Sequence, residues 1–84
     1  MNEDTSPDRK AAWIEHLRAE HGELISGRDL RKLLGYRDAG ALGKAAQQAK
    51  APVRLFKVAG RRDWFSLSVD VAGWLSSIGA KAPN

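Results

Sequence analysis

The sequence predicts a mainly α-helical domain with a small β-hairpin, ordered as three helices, a two-stranded hairpin and a C-terminal helix. Apolar residues recur at helical spacing in four separate stretches. A run rich in Val and Phe, residues 53–67, is interrupted by a glycine turn, and Gly or Pro stands at the boundaries of the stretches. At 84 residues the chain is one domain at most, which we place at residues 6–79 between a flexible N-terminus, residues 1–5, and a flexible tail, residues 80–84.

The first helix is predicted over Pro7–His21. Ser6 can accept hydrogen bonds from its first amides, Pro7 suits the first helical position, and Gly22 ends the helix. Its apolar positions are Ala11, Trp13, Ile14 and Leu17. Trp13 belongs either to the core of the domain or to a dimer contact.

A short second helix follows Ser26, which forms a capping-box-like pair with Asp29, and it ends at Gly35. Its buried face is formed by Leu30, Leu33 and Leu34. Asp38 is a favourable N-cap for the third helix, predicted over Ala39–Lys50. That helix buries Leu42, Ala45, Ala46 and Ala49, and its opposite side carries Ala41, Lys44, Gln47 and Gln48.

The hairpin is predicted from Val53–Val58, a turn at Ala59–Asp63 and a returning strand at Trp64–Leu67. We expect one apolar face to be formed by Phe56, Val58, Phe65 and Leu67, although Leu55 and Trp64 leave the register open. Ser68 is expected to cap the last helix, and Gly79 to end it. The apolar face of this helix comprises Val71, Trp74, Leu75 and Ile78.

The composition argues against several classes of protein. The absence of cysteine excludes disulfides and thiolate metal sites. No apolar run approaches the roughly 18–20 residues that span a bilayer, and the polar start is unlike a secretory signal, so we expect a soluble, cytoplasmic protein with no membrane partner. The spacing around Gly43-Lys44 is not that of a phosphate loop, and His16 and His21 have no partner set for a metal or a nucleophile. We therefore expect no enzyme activity, no cofactor and no metal.

Positive charge is concentrated in the middle of the chain. Residues 27–62 contain ten Lys or Arg and two Asp, whereas residues 1–26 contain three basic and six acidic residues. Such a concentration of cations is typical of a protein whose partner is a polyanion. The alternative is a set of ordinary solvated helix faces, but those usually carry both signs of charge.

The order of short helix, tight turn, helix and hairpin is typical of a winged helix-turn-helix. In that arrangement the second helix of the pair enters the major groove of DNA, which is about 12 Å wide and displays base edges. Gln can bond bidentately to adenine, and Lys or Arg to guanine. The candidates for base contact are therefore Arg37, Lys44, Gln47, Gln48 and Lys50. The alternative for each Gln is that it is simply a favourable exposed helix residue.

The hairpin tip Gly60-Arg61-Arg62 would form a basic wing. A wing tip lies beside the DNA backbone or in the minor groove, where Arg is attracted by the negative potential. The alternative is an ordinary charged turn. Together with the basic residues on and after the second helix, the candidates for phosphate and wing contacts are Arg28, Arg31, Lys32, Arg54, Lys57, Arg61 and Arg62.

A family resemblance rests on Ser26–Tyr36, the Ala-rich helix after it, Pro52, the hairpin closed by Gly60–Arg62, and Val71–Leu75. In these features residues 24–78 resemble the excisionase and MerR-like winged-helix family of phages, plasmids and integrative elements. The resemblance implies a recognition helix at Ala39–Lys50 and a wing at Val53–Leu67. It also implies a role as a recombination directionality factor or a local transcriptional regulator.

Two glycines depart from this family pattern. Gly40 and Gly43 lie in a helix where such proteins usually carry larger residues. Each costs about 1 kcal/mol of helix stability relative to Ala. They either weaken the helix or let its backbone come close to a partner.

The function hypothesis is sequence-specific binding of double-stranded DNA, as a small transcriptional regulator or an excisionase. A homodimer or a cooperative array along the DNA is expected, because one module this small would bind a single half-site weakly. The alternative is a winged-helix protein-interaction module, such as an inhibitor or adaptor of a host protein. RNA or single-stranded DNA binding is a further alternative, but it usually needs aromatic residues exposed on a sheet.

Overall fold

Four helices and a three-stranded antiparallel sheet make up residues 7–83, the part of the chain that the computed structural model describes. In chain order the elements are α1 (Pro7–His21), β1 (Leu24–Ser26), α2 (Gly27–Leu34), α3 (Ala39–Gln47), β2 (Phe56–Lys57), β3 (Trp64–Leu67) and α4 (Ser68–Ser77). The mainly α architecture, the four helices and the hairpin of β2 and β3 are confirmed, whereas β1 was not predicted. The predicted Ser6 cap and the predicted flexible residues 1–5 lie outside the described residues.

The third strand, β1, pairs with the strand that returns from the hairpin. β3 is the central strand, with β1 and β2 antiparallel on its two sides. Ile25 lies opposite Ser66 in one pair of strands, and Phe56 lies opposite Phe65 in the other. Sequence analysis missed β1 because three residues followed directly by a helix show too little alternation to be recognised.

The register decides which face of the sheet packs on the core. Because cross-strand partners share a face and successive residues alternate, Ser66 joins Ile25 on the inner face and Leu67 joins Leu24 on the outer one. Ser66 is fully buried, whereas Leu67 and Leu24 are 37% and 41% exposed. Of the predicted apolar set, Phe56, Phe65 and Leu67 do share a face, but it is the outer face of the sheet rather than the core-facing one, and Val58 lies just after the end of β2.

The core lies between α1, α4, the inner face of the sheet and the helix pair α2–α3. α1 packs mainly against α4, and Leu17, Ile25 and Val71 are fully buried. The other core side chains are Trp13, Leu30, Leu42, Ala72 and Leu75. The hydroxyl of Ser68 donates to the carbonyl of Gly22 at 2.6 Å, which fixes the start of α4 against the end of α1. No helix within residues 7–83 is long and apolar enough to span a membrane.

The segment after α4 is packed against α1. The indole Nε1 of Trp13 donates to the carbonyl of Ala80 at 2.8 Å, so Trp13 takes the core position that the sequence left as one of two options. Ala80 and Ala82 are partly buried against the core. These contacts lie within the segment, residues 80–84, for which the sequence predicts a flexible tail. Ile78, expected on the apolar face of α4, is instead its C-cap and is 58% exposed.

Two of the three residues predicted as N-caps within the described residues hold that position. The carboxylate of Asp38 accepts a hydrogen bond from the N–H of Ala41 at 2.8 Å and caps α3. Ser26 is the N-cap residue of α2, but its side chain makes no cap hydrogen bond, so the predicted capping box with Asp29 is not formed. Ser68 is the first residue of α4 rather than its cap, since its hydroxyl is used in the contact with α1.

α3 ends at Gln47, before the predicted end at Lys50. Ala49 has a left-handed backbone with φ of 55°, and the N–H of Lys50 bonds to the carbonyl of Ala45 at 2.9 Å. The N–H of Ala49 bonds to the carbonyl of Ala46 at 3.2 Å, which completes the two hydrogen bonds of a Schellman motif. Gly usually holds this left-handed position, and Ala49 therefore left no signal in the sequence.

We expect Ala49→Gly to raise the free energy of unfolding by about 1 kcal/mol, because a left-handed backbone is unfavourable for any residue with a Cβ. Gly35→Ala is the reciprocal control, since Gly35 ends α2 with φ of 85° and no atom lies within 4 Å of an added Cβ. We expect it to lower the free energy of unfolding by a similar amount. Urea unfolding followed by circular dichroism measures both, and a destabilising Ala49→Gly would show that α3 ends elsewhere.

Candidate nucleic-acid interface

The exposed face of α3 carries Gly40, Lys44 and Gln47. Leu42 is buried on the opposite side and fixes the rotation of the helix. α2 and α3 pack against each other across the connection of residues 35–38. Lys44 and Gln47, two of the predicted base-contacting residues, are therefore exposed on one face of the second helix of the pair.

The other predicted base-contacting residues do not lie on this helix. Gln48 is the C-cap of α3 and Lys50 follows the helix, so both were wrongly placed on it. Arg37 precedes α3, and its Nε lies 3.7 Å from the carboxylate of Asp38. The carbonyl of Arg37 accepts a hydrogen bond from Arg31 at 3.4 Å, which places these two residues side by side.

A groove of about 410 Å³ lies between α2, α3 and the β2–β3 hairpin. We call it the basic groove because four of the predicted phosphate-contacting residues line it. These are Arg28, Arg31, Lys57 and Arg62. Among the described residues Asp63 is the one acidic residue of the groove lining, and Gly43 and Trp64 also line it. Four cations separated by up to 34 positions in the sequence are thus brought together beside the exposed face of α3.

Lys57 is held in place by the hairpin. Its Nζ lies 4.6 Å from the centre of the Trp64 ring, and it donates a hydrogen bond to the carbonyl of Arg62. Lys57 and Trp64 are direct cross-strand partners, which explains why the ammonium group of Lys57 lies over the Trp64 ring. The position of Trp64 in the basic groove depends on the register of β2 and β3, which the sequence left open.

The two arginines of the hairpin tip lie on different sides of the sheet. Arg62 lines the basic groove, whereas the guanidinium of Arg61 lies 5.2 Å from the centre of the Phe65 ring on the outer face. Phe65 is buried although it is not part of the core, and Arg61 covers it. The predicted pair of wing residues is therefore divided between two surfaces.

Two further predicted residues lie outside the basic groove. Lys32 is exposed on α2, one turn after Arg28. Arg54 lies in a different groove of about 510 Å³, which we call the α1–α4 groove and which also includes Lys10, Asp70 and Trp74. Arg54 is displaced because β2 begins only at Phe56, so the segment before it packs beside α4.

Within residues 7–83, no ion pair neutralises a cation of the basic groove. The carboxylates that do have basic neighbours lie elsewhere: Glu23 pairs with Arg18, Asp38 pairs with Arg37, and the carboxylate of Asp29 lies 3.4 Å from Nδ1 of His21. The basic groove therefore presents a net positive charge to solvent. In the same part of the chain, no three His, Asp or Glu side chains lie close enough together to hold a metal ion.

Comparison with protein-family models, with curated protein sequences and with solved structures gives no match to this chain. A function is therefore inferred from the chemistry of the surface alone.

Proposed function

We propose that this protein binds double-stranded DNA as a winged helix-turn-helix, with α3 in the major groove and the basic groove on the phosphates of one strand. The observation that carries the proposal is the adjacency of the two surfaces: four cations that form no ion pair within residues 7–83 lie directly beside a helix face that bears Lys44 and Gln47. A polyanion with readable base edges is the ligand that satisfies both surfaces.

The element order supports this proposal. α2, a four-residue connection and α3 follow one another in the order typical of a helix-turn-helix, and residues of the β2–β3 hairpin line one groove with residues of α3, as the proposed wing requires. The groove cations of α2 and of the hairpin would contact phosphates and so fix the position of α3 along the DNA, while α3 contacts the bases. We propose that this binding needs no catalytic step and serves a cytoplasmic transcriptional regulator or excisionase-like factor.

The exposed face of α3 suits close contact with base edges. Gly40 has no side chain to hold the helix away from the floor of a groove, and Lys44 and Gln47 project from the neighbouring positions. In this pose Lys44 would bond to guanine and Gln47 to adenine. Gln48 and Lys50, beyond the end of the helix, would lie nearer the backbone than the bases.

A protein-interaction surface is the second candidate function, and one observation favours it. Leu24 and Leu67 are direct cross-strand partners on the outer face of the sheet, and both are substantially exposed. An exposed apolar pair of this kind is suited to contact with a second copy of the chain or with another protein. This face lies away from the basic groove, so a dimer formed through it would leave the groove open to DNA.

The test of the proposed function is selection of the full-length protein on random duplex DNA at about 50 and 200 mM salt. We expect an enriched sequence motif and weaker retention at the higher salt. Gln47→Ala should change the preferred bases, whereas Gln48→Ala, the matched control at the C-cap, should leave the motif unchanged. The proposal is contradicted if no duplex is retained at the lower salt, and the outer-face leucines then become the surface to pursue.

A further inference from the structure

The basic groove contains an indole N–H that is open to solvent and has no acceptor within the described residues. Within residues 7–83, the indole Nε1 of Trp64 has no hydrogen-bond partner, whereas that of Trp13 donates to the carbonyl of Ala80. Lys57 lies over one face of the Trp64 ring, whereas the N–H lies in the plane of the ring and is not used by this contact. An indole nitrogen can only donate, and the group that satisfies it must therefore be an acceptor.

The indole nitrogen of Trp64 lies beside a position of α3 that carries no side chain. A Cβ built on Gly43 would lie 3.8 Å from Nε1 of Trp64, and apart from the backbone of α3 and the chain neighbours of Gly43 nothing else would lie within 4 Å of it. The distance is that of ordinary van der Waals contact, so the packing of α3 on the hairpin does not require glycine here. The lack of a side chain at Gly43 instead leaves space beside the indole nitrogen.

The charge around this space selects the kind of acceptor. Among the described residues the lining of this groove has one carboxylate, that of Asp63, against four cations: Arg28, Arg31, Lys57 and Arg62. Carbonyl and hydroxyl acceptors gain little from these cations, whereas an anionic oxygen gains both a charge-assisted hydrogen bond and the attraction of the cations. A phosphate group also has several oxygens, and it can accept from Trp64 and from the cations at the same time.

We propose that a backbone phosphate of the bound DNA strand lies in the basic groove over Gly43 and Trp64 and accepts a hydrogen bond from the indole Nε1 of Trp64. The inference rests on the proposed function and adds to it a specific contact. Trp64 sets the depth at which the strand lies, and Gly43 provides the room for it. This contact fixes the distance between the strand and the exposed face of α3.

The first test is Gly43→Ala, for which folding and binding should respond in opposite directions. Alanine is the better helix residue and meets only ordinary contacts here, so we expect the midpoint of thermal unfolding to rise by about 4 °C. The added methyl group occupies the space beside the indole nitrogen, so affinity for duplex DNA should fall about tenfold. Gly73→Ala is the matched control: it lies in α4, where its Cβ would meet only the flexible end of Lys10 at 3.6 Å. It should raise the midpoint without changing the affinity.

The second test removes the donor. Trp64→Phe keeps an aromatic face beneath Lys57 but has no N–H, and we expect duplex affinity to fall about tenfold. Trp13→Phe is the matched control, because its indole donates inside the fold. It should lower the unfolding temperature and leave duplex affinity unchanged at temperatures where the variant is folded. In the wild type, the Trp64 indole N–H resonance should shift when duplex DNA is added.

The outcomes separate this inference from the function on which it rests. If the wild type binds duplex DNA, but Gly43→Ala and Trp64→Phe bind equally well, the phosphate contact is overturned and DNA binding stands. If the wild type binds no duplex at low salt, both are overturned. If Trp64→Phe fails to fold, Gly43→Ala still decides, because its folding is expected to improve.

Discussion

Replacing Lys57 and Arg62 together by glutamine should weaken binding to every duplex by roughly 30-fold at physiological salt. Both residues line the basic groove and neither forms an ion pair within residues 7–83. Each cation that neutralises a phosphate contributes about 0.9 to the slope of log affinity against log salt, so the magnitude of the slope should fall by about 2. Fluorescence anisotropy with a labelled duplex at several salt concentrations measures both quantities.

A charge-matched control separates a contact from a general effect of net charge. Lys10→Gln with Arg54→Gln removes the same number of charges from the α1–α4 groove, which is separate from the basic groove. We expect a much smaller change in affinity and in salt slope. If the two double variants behave alike, net charge alone attracts DNA to this protein, and the basic groove has no special part in binding.

Leu17→Ala should lower the free energy of unfolding by about 2–5 kcal/mol, the largest effect on stability that we expect from one substitution. Leu17 is fully buried where α1 packs against α4. A domain of this size is stabilised by only about 4–12 kcal/mol in total, so the variant would keep little of its stability. Urea unfolding followed by circular dichroism and tryptophan fluorescence provides the measurement.

Leu24→Ala is the control for this prediction, because the same side chain is removed from a position that is 41% exposed. We expect a loss below about 1 kcal/mol, since an exposed leucine gains little from folding. Equal losses at the two positions would contradict the placement of α1 in the core. A loss at Leu24 that appears only at high protein concentration would instead indicate that the outer face of the sheet joins two copies.

The helices were predictable because their signals are local. α1 was predicted with its observed bounds, since Pro7 begins it and Gly22, with φ of 80°, follows it. α3 was predicted too long because its stop signal is the backbone of Ala49 rather than a glycine. Propensity and periodicity describe the preference of a residue. They cannot reveal that two hydrogen bonds hold Ala49 in an unfavourable left-handed conformation.

The sheet was less predictable because strand pairing is not local. β1 is three residues long, and its pairing with β3 turns the predicted apolar face outward. Sequence alone favoured Leu67 over Ser66 for a buried position, yet the structure buries Ser66. Register is set by partners distant in the chain, and one additional strand is enough to reverse the assignment of faces.

In the candidate site, too, local features were predictable from the sequence and features that depend on strand pairing were not. The sequence identified the cations of the basic groove from their concentration in the chain, and it identified Lys44 and Gln47 from helical spacing. It did not separate Arg61 from Arg62, because adjacent residues in a turn carry no information about the face each will take. The position of Trp64 in the basic groove appeared only with the cross-strand pairing to Lys57.

The most direct test of the central claim is a two-dimensional ¹H–¹⁵N NMR titration of the full-length protein with a short DNA duplex. Double-stranded DNA bound by α3 and the basic groove should shift the amide resonances of residues 27–31, 39–47 and 57–64. The resonances of α4 and of the α1–α4 groove should remain in place. Shifts centred on α1, α4 or the outer-face leucines, or no shifts at low salt, would contradict the proposed interface.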